Sequence, residues 1–175
     1  MRVRKATSGD AADLAAFGRR AFHTTFASEN NPDDLEQYLD TAYTEDRQRA
    51  EILDPAIETL LIEQDGTLAA FAQIREGPVP ACITGPDPIE LWRFYVDHSW
   101  HGRGVSAALM GAVEDTVRSR GARTLWLGVW ERNARAQAFY RKHGFTVAGA
   151  QIFVVGSDPQ RDFVMVKPVP GATRR

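Results

Sequence analysis

The chain has a single cysteine, Cys82. That excludes an intramolecular disulfide framework and points to a reducing compartment. Neither sign of charge is in excess: 21 Lys+Arg against 23 Asp+Glu leave a net charge of -2. A general attraction to nucleic acid or to an anionic membrane surface is therefore not expected. No apolar run approaches the roughly 18 residues of a membrane span. The opening MRVRKATSGDAADLAAF is basic but carries no apolar h-region, so it is read as no signal peptide, and a cytoplasmic setting is expected. What is present, 175 residues of which 43% are hydrophobic, suffices for one core. A single domain over 1–168 with a tail of 169–175 is expected.

The first half reads as a short strand over 1–5, then helices. From Asp10, a plausible N-cap, Leu14, Phe17, Ala21 and Phe22 recur at helical spacing. The polar SENNPDD of 28–34 breaks the pattern. A second helix runs through Leu35, Leu39 and Tyr43, and a third from Thr44 or Glu45 to Leu53. Strands at 59–63 and 67–74 flank Asp65-Gly66, a hairpin signal because both residues tolerate positive φ. Four prolines make 75–89 a long loop, and it is not read as a domain linker.

The second half is more regular. A strand over 91–96 leads into a helix over 104–120, with Val105, Leu109, Ala112, Val113 and Val117 on one stripe. A strand over 124–130 precedes a helix capped by Asn133, and three closing strands are read at 145–148, 152–155 and 163–166. The order predicts a mixed α/β sheet with helices on its faces.

Chemistry concentrates in residues 91–106, LWRFYVDHSWHGRGVS. A strand enters a Gly-x-Gly turn that opens a helix. Gly102 and Gly104 let backbone amides approach a ligand, and the helix start adds unpaired N–H groups and a positive dipole end. This is an anion site suited to a phosphate or pyrophosphate. A nucleoside-triphosphate loop is excluded, because Gly104 is followed by Val105-Ser106 and not by Lys-Ser/Thr. A dinucleotide fold fits Gly102, Gly104 and Ala107, but the one β-α-β unit is too few and Glu131 lies too far along.

Two motifs carry a resemblance. His101-Gly102-Arg103-Gly104-Val105-Ser106 is similar to the acyl-CoA signature Q/R-x-x-G-x-G/A, with His101 and Ser106 departing from it. Asn133 through Phe145, NARAQAFYRKHGF, matches N-x-x-A-x-x-F-Y-x-x-x-G-F. On these the chain resembles the GNAT (Gcn5-related) N-acetyltransferases, most of all the PaiA-type polyamine acetyltransferases. The resemblance implies a mixed, mostly antiparallel central sheet flanked by helices, with a splayed central strand pair holding acetyl-CoA as co-substrate. No metal is implied: His98 and His101 beside Asp97 are read as incidental, and Cys82 as unactivated. A small-molecule amine is the implied acceptor, and a homodimer is compatible with the resemblance.

The resemblance also implies roles. Tyr140 is expected as the general acid for the departing sulfur and as part of the cofactor site. Phe94, Tyr95 and Val96 are expected to line the cofactor, with a backbone N–H near Val96 as oxyanion donor where the strand bulges. His101, Gly102, Arg103, Gly104, Val105 and Ser106 would hold the diphosphate, Asn133 the cofactor arm, and Arg141 or Lys142 a further phosphate. Many relatives carry an acid where this chain has Trp92. Glu90, two residues earlier and on the same strand face by alternation, is the expected base. Glu29, Asp33, Asp34, Glu36 and Asp40 would favour a polycation. The competing reading is an acyl-CoA-binding regulator with little turnover, supported by Trp92 and His101.

Overall fold

The computed structural model describes residues 1–170. In chain order the elements are β1 (Arg2–Lys5), α1 (Ala11–Phe26), α2 (Pro32–Ala42), α3 (Glu45–Leu53), β2 (Ile57–Gln64), β3 (Thr67–Arg75), β4 (Pro88–Val96), α4 (Val105–Ser119), β5 (Thr124–Trp130), α5 (Ala134–Lys142), β6 (Thr146–Val155) and β7 (Asp158–Pro168). The strands form a seven-stranded sheet in the order β1-β2-β3-β4-β5-β7-β6. Among the described residues only β4 and β5 run parallel; the other five pairings are antiparallel. The sheet is therefore mixed and mostly antiparallel, with helices on both faces.

Local chemistry sets most boundaries. Asn31 and Thr44 accept from backbone N–H groups of α2 and α3, and Pro32 takes the first position of α2, where no N–H partner is needed. Asp65 (φ 54°) and Gly66 (φ 78°) both turn left-handed, as the β2–β3 hairpin requires. Asp10 does precede α1, but its carboxylate turns back to Thr7 N (2.7 Å) and Arg4 Nη2 (2.7 Å) and does not cap α1. Capping that expected helix is replaced by pinning β1 to the turn before it.

The end of the chain differs from expectation. Two strands close the sheet, not three: β6 runs unbroken from 146 to 155, absorbing the irregularity as a register shift between Val147 and Gly149. β4 also starts earlier, at Pro88, and pairs Pro88–Glu90 with Thr124–Trp126. Val169 is 3% exposed and its N–H bonds to Arg123 O, so it belongs to the core and not to a tail. The remainder of the expected tail, 171–175, lies outside the described residues.

Alternation along the strands sends two sets of side chains to the two faces. Ile62, Ala72, Ile74, Leu91, Leu125 and Leu127 meet α4 and α5 through Leu109, Met110, Val113 and Tyr140. Leu61, Phe71 and Val155 meet α1 and α2 through Leu14, Phe17, Leu35 and Leu39. The Pro-rich loop between β3 and β4 packs Ile83 on Trp126 and Val164, so it covers the sheet and links no second domain. No helix of the described residues is long and apolar enough to cross a membrane. Leu109 is fully buried, whereas Ile152 is 65% exposed. Leu109→Ala is expected to cost about 2–5 kcal/mol in urea unfolding, and Ile152→Thr within roughly 0.5 kcal/mol.

Candidate active site

The pairing of β4 with β5 stops after Glu90↔Trp126. Beyond it β4 stays bonded to β3 and β5 to β7, so the sheet holds while the seam between them opens. The cause is visible in the β3–β4 register. Gln73 faces Arg93 and Ile74 faces Leu91, so Trp92 is an extra residue with no partner. Such a bulge bends its strand and increases the local twist. The bulge therefore sits at Trp92, four residues before the expected Val96.

Opening the seam leaves a cavity of about 370 Å³. It is lined from both faces of the sheet, by Phe94, Phe139 and Tyr140 on the α4–α5 side and by Phe22, Tyr38 and Phe153 on the α1–α2 side. It thus passes through the sheet. N–H groups of a strand alternate between its two edges. Asp97 N bonds to Ala69 O across towards β3, so the Val96 N–H faces the opened seam. The Val96 carbonyl faces the same way and accepts from His101 Nε2 at 3.0 Å.

At one end lies the start of α4. Gly104 takes φ 80° at its N-cap, and no side chain caps the helix. α5 differs, since Asn133 Oδ1 accepts from Ala136 N at 3.1 Å. The first N–H groups of α4 are thus left for a ligand, and the helix dipole favours an anion there. Gly102 is also left-handed (φ 74°), and neither glycine has a neighbour within 4 Å of where a Cβ would stand.

The expected site residues divide. His101, Ser106, Asn133, Phe94, Val96, Tyr140 and Glu90 line the cavity. Val105 is 3% exposed and packs in the core, so only its N–H can serve. Gly102, Arg103 and Gly104 are exposed outside the lining, and the Arg103 guanidinium lies 5.2 Å over the Trp100 ring. Arg141 turns along its own helix to Gln137 Oε1 (3.4 Å); the basic residue that lines the cavity from α5 is Arg135. Tyr95 reaches the cavity from the α1–α2 side, with its ring on Phe71 at 5.6 Å, opposite in face to Phe94 and Val96.

Three titratable groups show what their surroundings do. Tyr140 is 9% exposed, and burial alone holds its phenol well above the ordinary value. It remains a neutral O–H donor throughout the neutral range. Glu90 is 6% exposed; burial raises its carboxyl, opposed by Arg75 Nε at 2.5 Å. His101 is lowered by burial and then by Arg135, whose Nη2 lies 2.7 Å from Nδ1. Arg135 can only donate, so Nδ1 accepts and Nε2–H donates to Val96: the imidazole is neutral and not free to charge-pair with phosphate.

Trp92 was expected as a pocket wall, but its partners and several other lining residues went unnoticed in the sequence. Trp92 lies between two guanidinium groups, Arg75 at 3.9 Å and Arg93 at 3.8 Å from its ring centroid. Arg93 is itself paired with Glu51 Oε2 at 2.5 Å. On the α1–α2 side Tyr38, Gln151, Gln160 and Asp162 join the lining. None of Glu29, Asp33, Asp34, Glu36 or Asp40 does. Asp34 accepts from Ser157 N at 2.7 Å, and Glu36 and Asp40 pair with Arg19. Removing the cation beside His101 favours its protonated form, so Arg135→Ala is expected to move the His101 titration, followed by NMR, to higher pH. An unmoved titration would mean that the contact is not kept in solution.

The comparisons with known proteins agree with this geometry. The Acetyltransferase (GNAT) family profile matches residues 23–145. An uncharacterised N-acetyltransferase of Lactobacillus delbrueckii subsp. lactis is 29% identical over 167 residues, 95% of this chain and 96% of the relative. One of Mycobacterium tuberculosis is 33% identical over 159 residues, 90% and 97% of the two chains. Among solved structures, the PaiA N-acetyltransferase of Thermoplasma acidophilum in complex with coenzyme A superposes with a TM-score of 0.79 at 23% identity, covering 95% of this chain and 98% of that one. A chain with this profile match, this sheet and this parted strand pair belongs to the acetyltransferase (GNAT) family and is an N-acetyltransferase.

Proposed function

We propose that the protein moves an acetyl group from acetyl-CoA to a small primary amine by direct attack, within the cleft that the parted strands open through the sheet. The observation that carries this reading is the juxtaposition in one cavity of an uncapped helix start, the Val96 N–H and the Tyr140 phenol. The residues present fit acetyl-CoA. The N–H groups from Val105 onward and the turn of His101 to Gly104 would hold the diphosphate, and the open edges of β4 and β5 would pair with the amides of its arm. When bound it supplies the activated acyl carbon and a sulfur leaving group.

The chain's own groups do the rest. Val96 N–H donates to the carbonyl oxygen as negative charge builds there, and a donor so placed is commonly worth about 10²–10³ in rate. Tyr140 donates its proton to the departing sulfur. Because burial keeps the phenol protonated, this donor is available at any working pH. His101 holds Val96 in place through its carbonyl, a positioning part and not a phosphate contact. Glu90, whose carboxylate is engaged by Arg75, fixes that guanidinium against the Trp92 ring in this reading, a different part from the base expected of it.

The acceptor is a small amine. The acidic side chains of 29–40 stand outside the cavity lining, so a polyamine draws its support from the likeness to PaiA alone. Tyr140→Phe is expected to lower kcat about 10²–10⁴-fold with the dissociation constant of acetyl-CoA unchanged. The assay pairs that variant with a panel of spermidine, phenethylamine and a peptide with a free N-terminal alanine. A wild-type protein that binds acetyl-CoA but acetylates none of a broad panel would overturn catalysis in favour of an acyl-CoA-binding regulator.

A further inference from the structure

We propose that Asp162 receives the ammonium group of the acceptor and takes its proton, making it the catalytic base of the transfer. This deepens the reading above and rests on it. Asp162 lies on β7, opposite Trp130 of β5 and Gln151 of β6. It is 8% exposed and lines the cavity on its α1–α2 side. Among the described residues its carboxylate has neither a hydrogen-bond donor nor a cationic partner. Every other charged side chain lining the cavity is engaged: Glu90 with Arg75, Arg93 with Glu51, and Arg135 with His101. A buried carboxylate without a partner is costly, and a cavity is where such a cost is retained for function.

The lining beside it suits an amine. A Cβ on Gly128 of β5 would lie 3.2 Å from Asp162 Oδ2 and 2.6 Å from Gln151 Nε2, so the bare glycine is what lets the Gln151 amide and the Asp162 carboxylate close in over β5. Aromatic rings stand around the mouth: Phe26 against Trp130 at 5.7 Å, Tyr38 against Phe153 at 5.6 Å and against Phe22 at 4.6 Å. Ring faces attract a cation, and a carboxylate among rings selects an amine carrying one charge on an apolar body.

The proton balance follows. One N–H bond of the ammonium breaks, and its proton goes to Asp162 and from there to solvent. The freed nitrogen pair forms the bond to the acetyl carbon while the carbon–sulfur bond breaks onto sulfur, which takes the Tyr140 proton. A second N–H bond breaks as the amide forms, and that proton, taken up by Asp162 in its turn, is returned to Tyr140, so that one proton is released per acetyl group transferred. Burial, then Glu131 after β5, raise the Asp162 carboxyl to about 6. The groups facing it from the packed elements are Glu131, itself held by Arg161 at 3.1 Å, Tyr38 from α2, and the Glu90–Arg75 pair on β4 and β3.

The test measures amine binding to CoA-saturated protein by calorimetry and the pH profile of kcat/KM, for wild type, Asp162→Asn and Glu131→Gln. Wild type is expected to show an acid limb near pH 6. Asp162→Asn should abolish that limb, lower kcat/KM about 10²–10⁴-fold and weaken amine binding at least tenfold. Glu131→Gln should move the limb to lower pH. A folded group with a raised carboxyl pKa loses stability as pH rises through it. Asp162→Asn should therefore raise Tm, and more at pH 8 than at pH 4, which shows that the variant folds. If Asp162→Asn binds amines like wild type, or keeps the limb and the rate, the proposal falls. If wild type binds amines and Asp162→Asn does not, yet neither acetylates them, the recognition role stands and the catalytic reading above is what fails.

Discussion

The structure depends on one interruption: two parallel strands that pair for three residues and then part. A sheet interior normally leaves no main-chain group unpaired, since a buried N–H or C=O without a partner costs as much as a lost hydrogen bond. Here β4 and β5 each keep their outer neighbour, β3 and β7, and give up only each other. The interruption is confined to one seam, and its unpaired groups line a cavity. A ligand with amides of its own can pair with those edges as a strand would. The extra residue Trp92 is what opens the seam, and the two guanidinium groups stacked against its ring hold it open.

Charge is distributed along this passage with a direction. On the α4–α5 side lie an uncapped helix start and Arg135, both favouring an anion. On the α1–α2 side the guanidinium groups are already engaged by Glu90 and Glu51, which leaves a carboxylate among aromatic rings. In the proposed reading an anionic carrier and a cationic acceptor would enter at opposite mouths of one passage and meet where the Val96 N–H and Tyr140 lie. His101 shows how a departure from the usual signature is accommodated. Its ring, kept neutral by burial and then by Arg135, spans from the turn to the Val96 carbonyl and ties the start of α4 to β4.

Much of this was legible in the sequence because it is local. Helix starts at Thr44 and Asn133, the Asp65-Gly66 turn and the strand over 124–130 depend on neighbours a few residues apart. The Gly-x-Gly turn that opens α4 and the place of Tyr140 beside the cavity were legible because their motifs are contiguous. What was not legible is set by pairing across the sheet. The position of the bulge depends on how β4 registers with β3, and nothing in LWRFYV marks Trp92 as the extra residue. Period-2 alternation through 90–92 placed Glu90 correctly on the cavity side but could not show Arg75 waiting opposite. Asp162 was hidden for the same reason, since in QRDFV it reads as an ordinary exposed strand residue. Only its pairing with Trp130 and Gln151 brings it inside. The acidity of 29–40 could be read in the sequence but not where it is spent: Asp34 is held by Ser157, Glu36 and Asp40 by Arg19, and none of these lines the cavity.

The buried polar network beneath Trp92 is hard to understand as a source of stability. Arg93, Glu51, Gln73 and Thr59 are all nearly inaccessible, and the Arg93 Nε and Tyr43 hydroxyl lie buried without partners among the described residues. Apolar side chains of equal volume commonly hold a core as well as a buried ion pair does. What an apolar core cannot do is fix a guanidinium at one distance from a ring. Glu51 and Gln73 grip Nη1 of Arg93 from α3 and β3, and so its plane is set against Trp92 on one side and Tyr43 on the other. The helix that bears Glu51 packs on the face where the acceptor would enter. A displacement of α3 would therefore be felt at the bulge, and through it in the width of the seam.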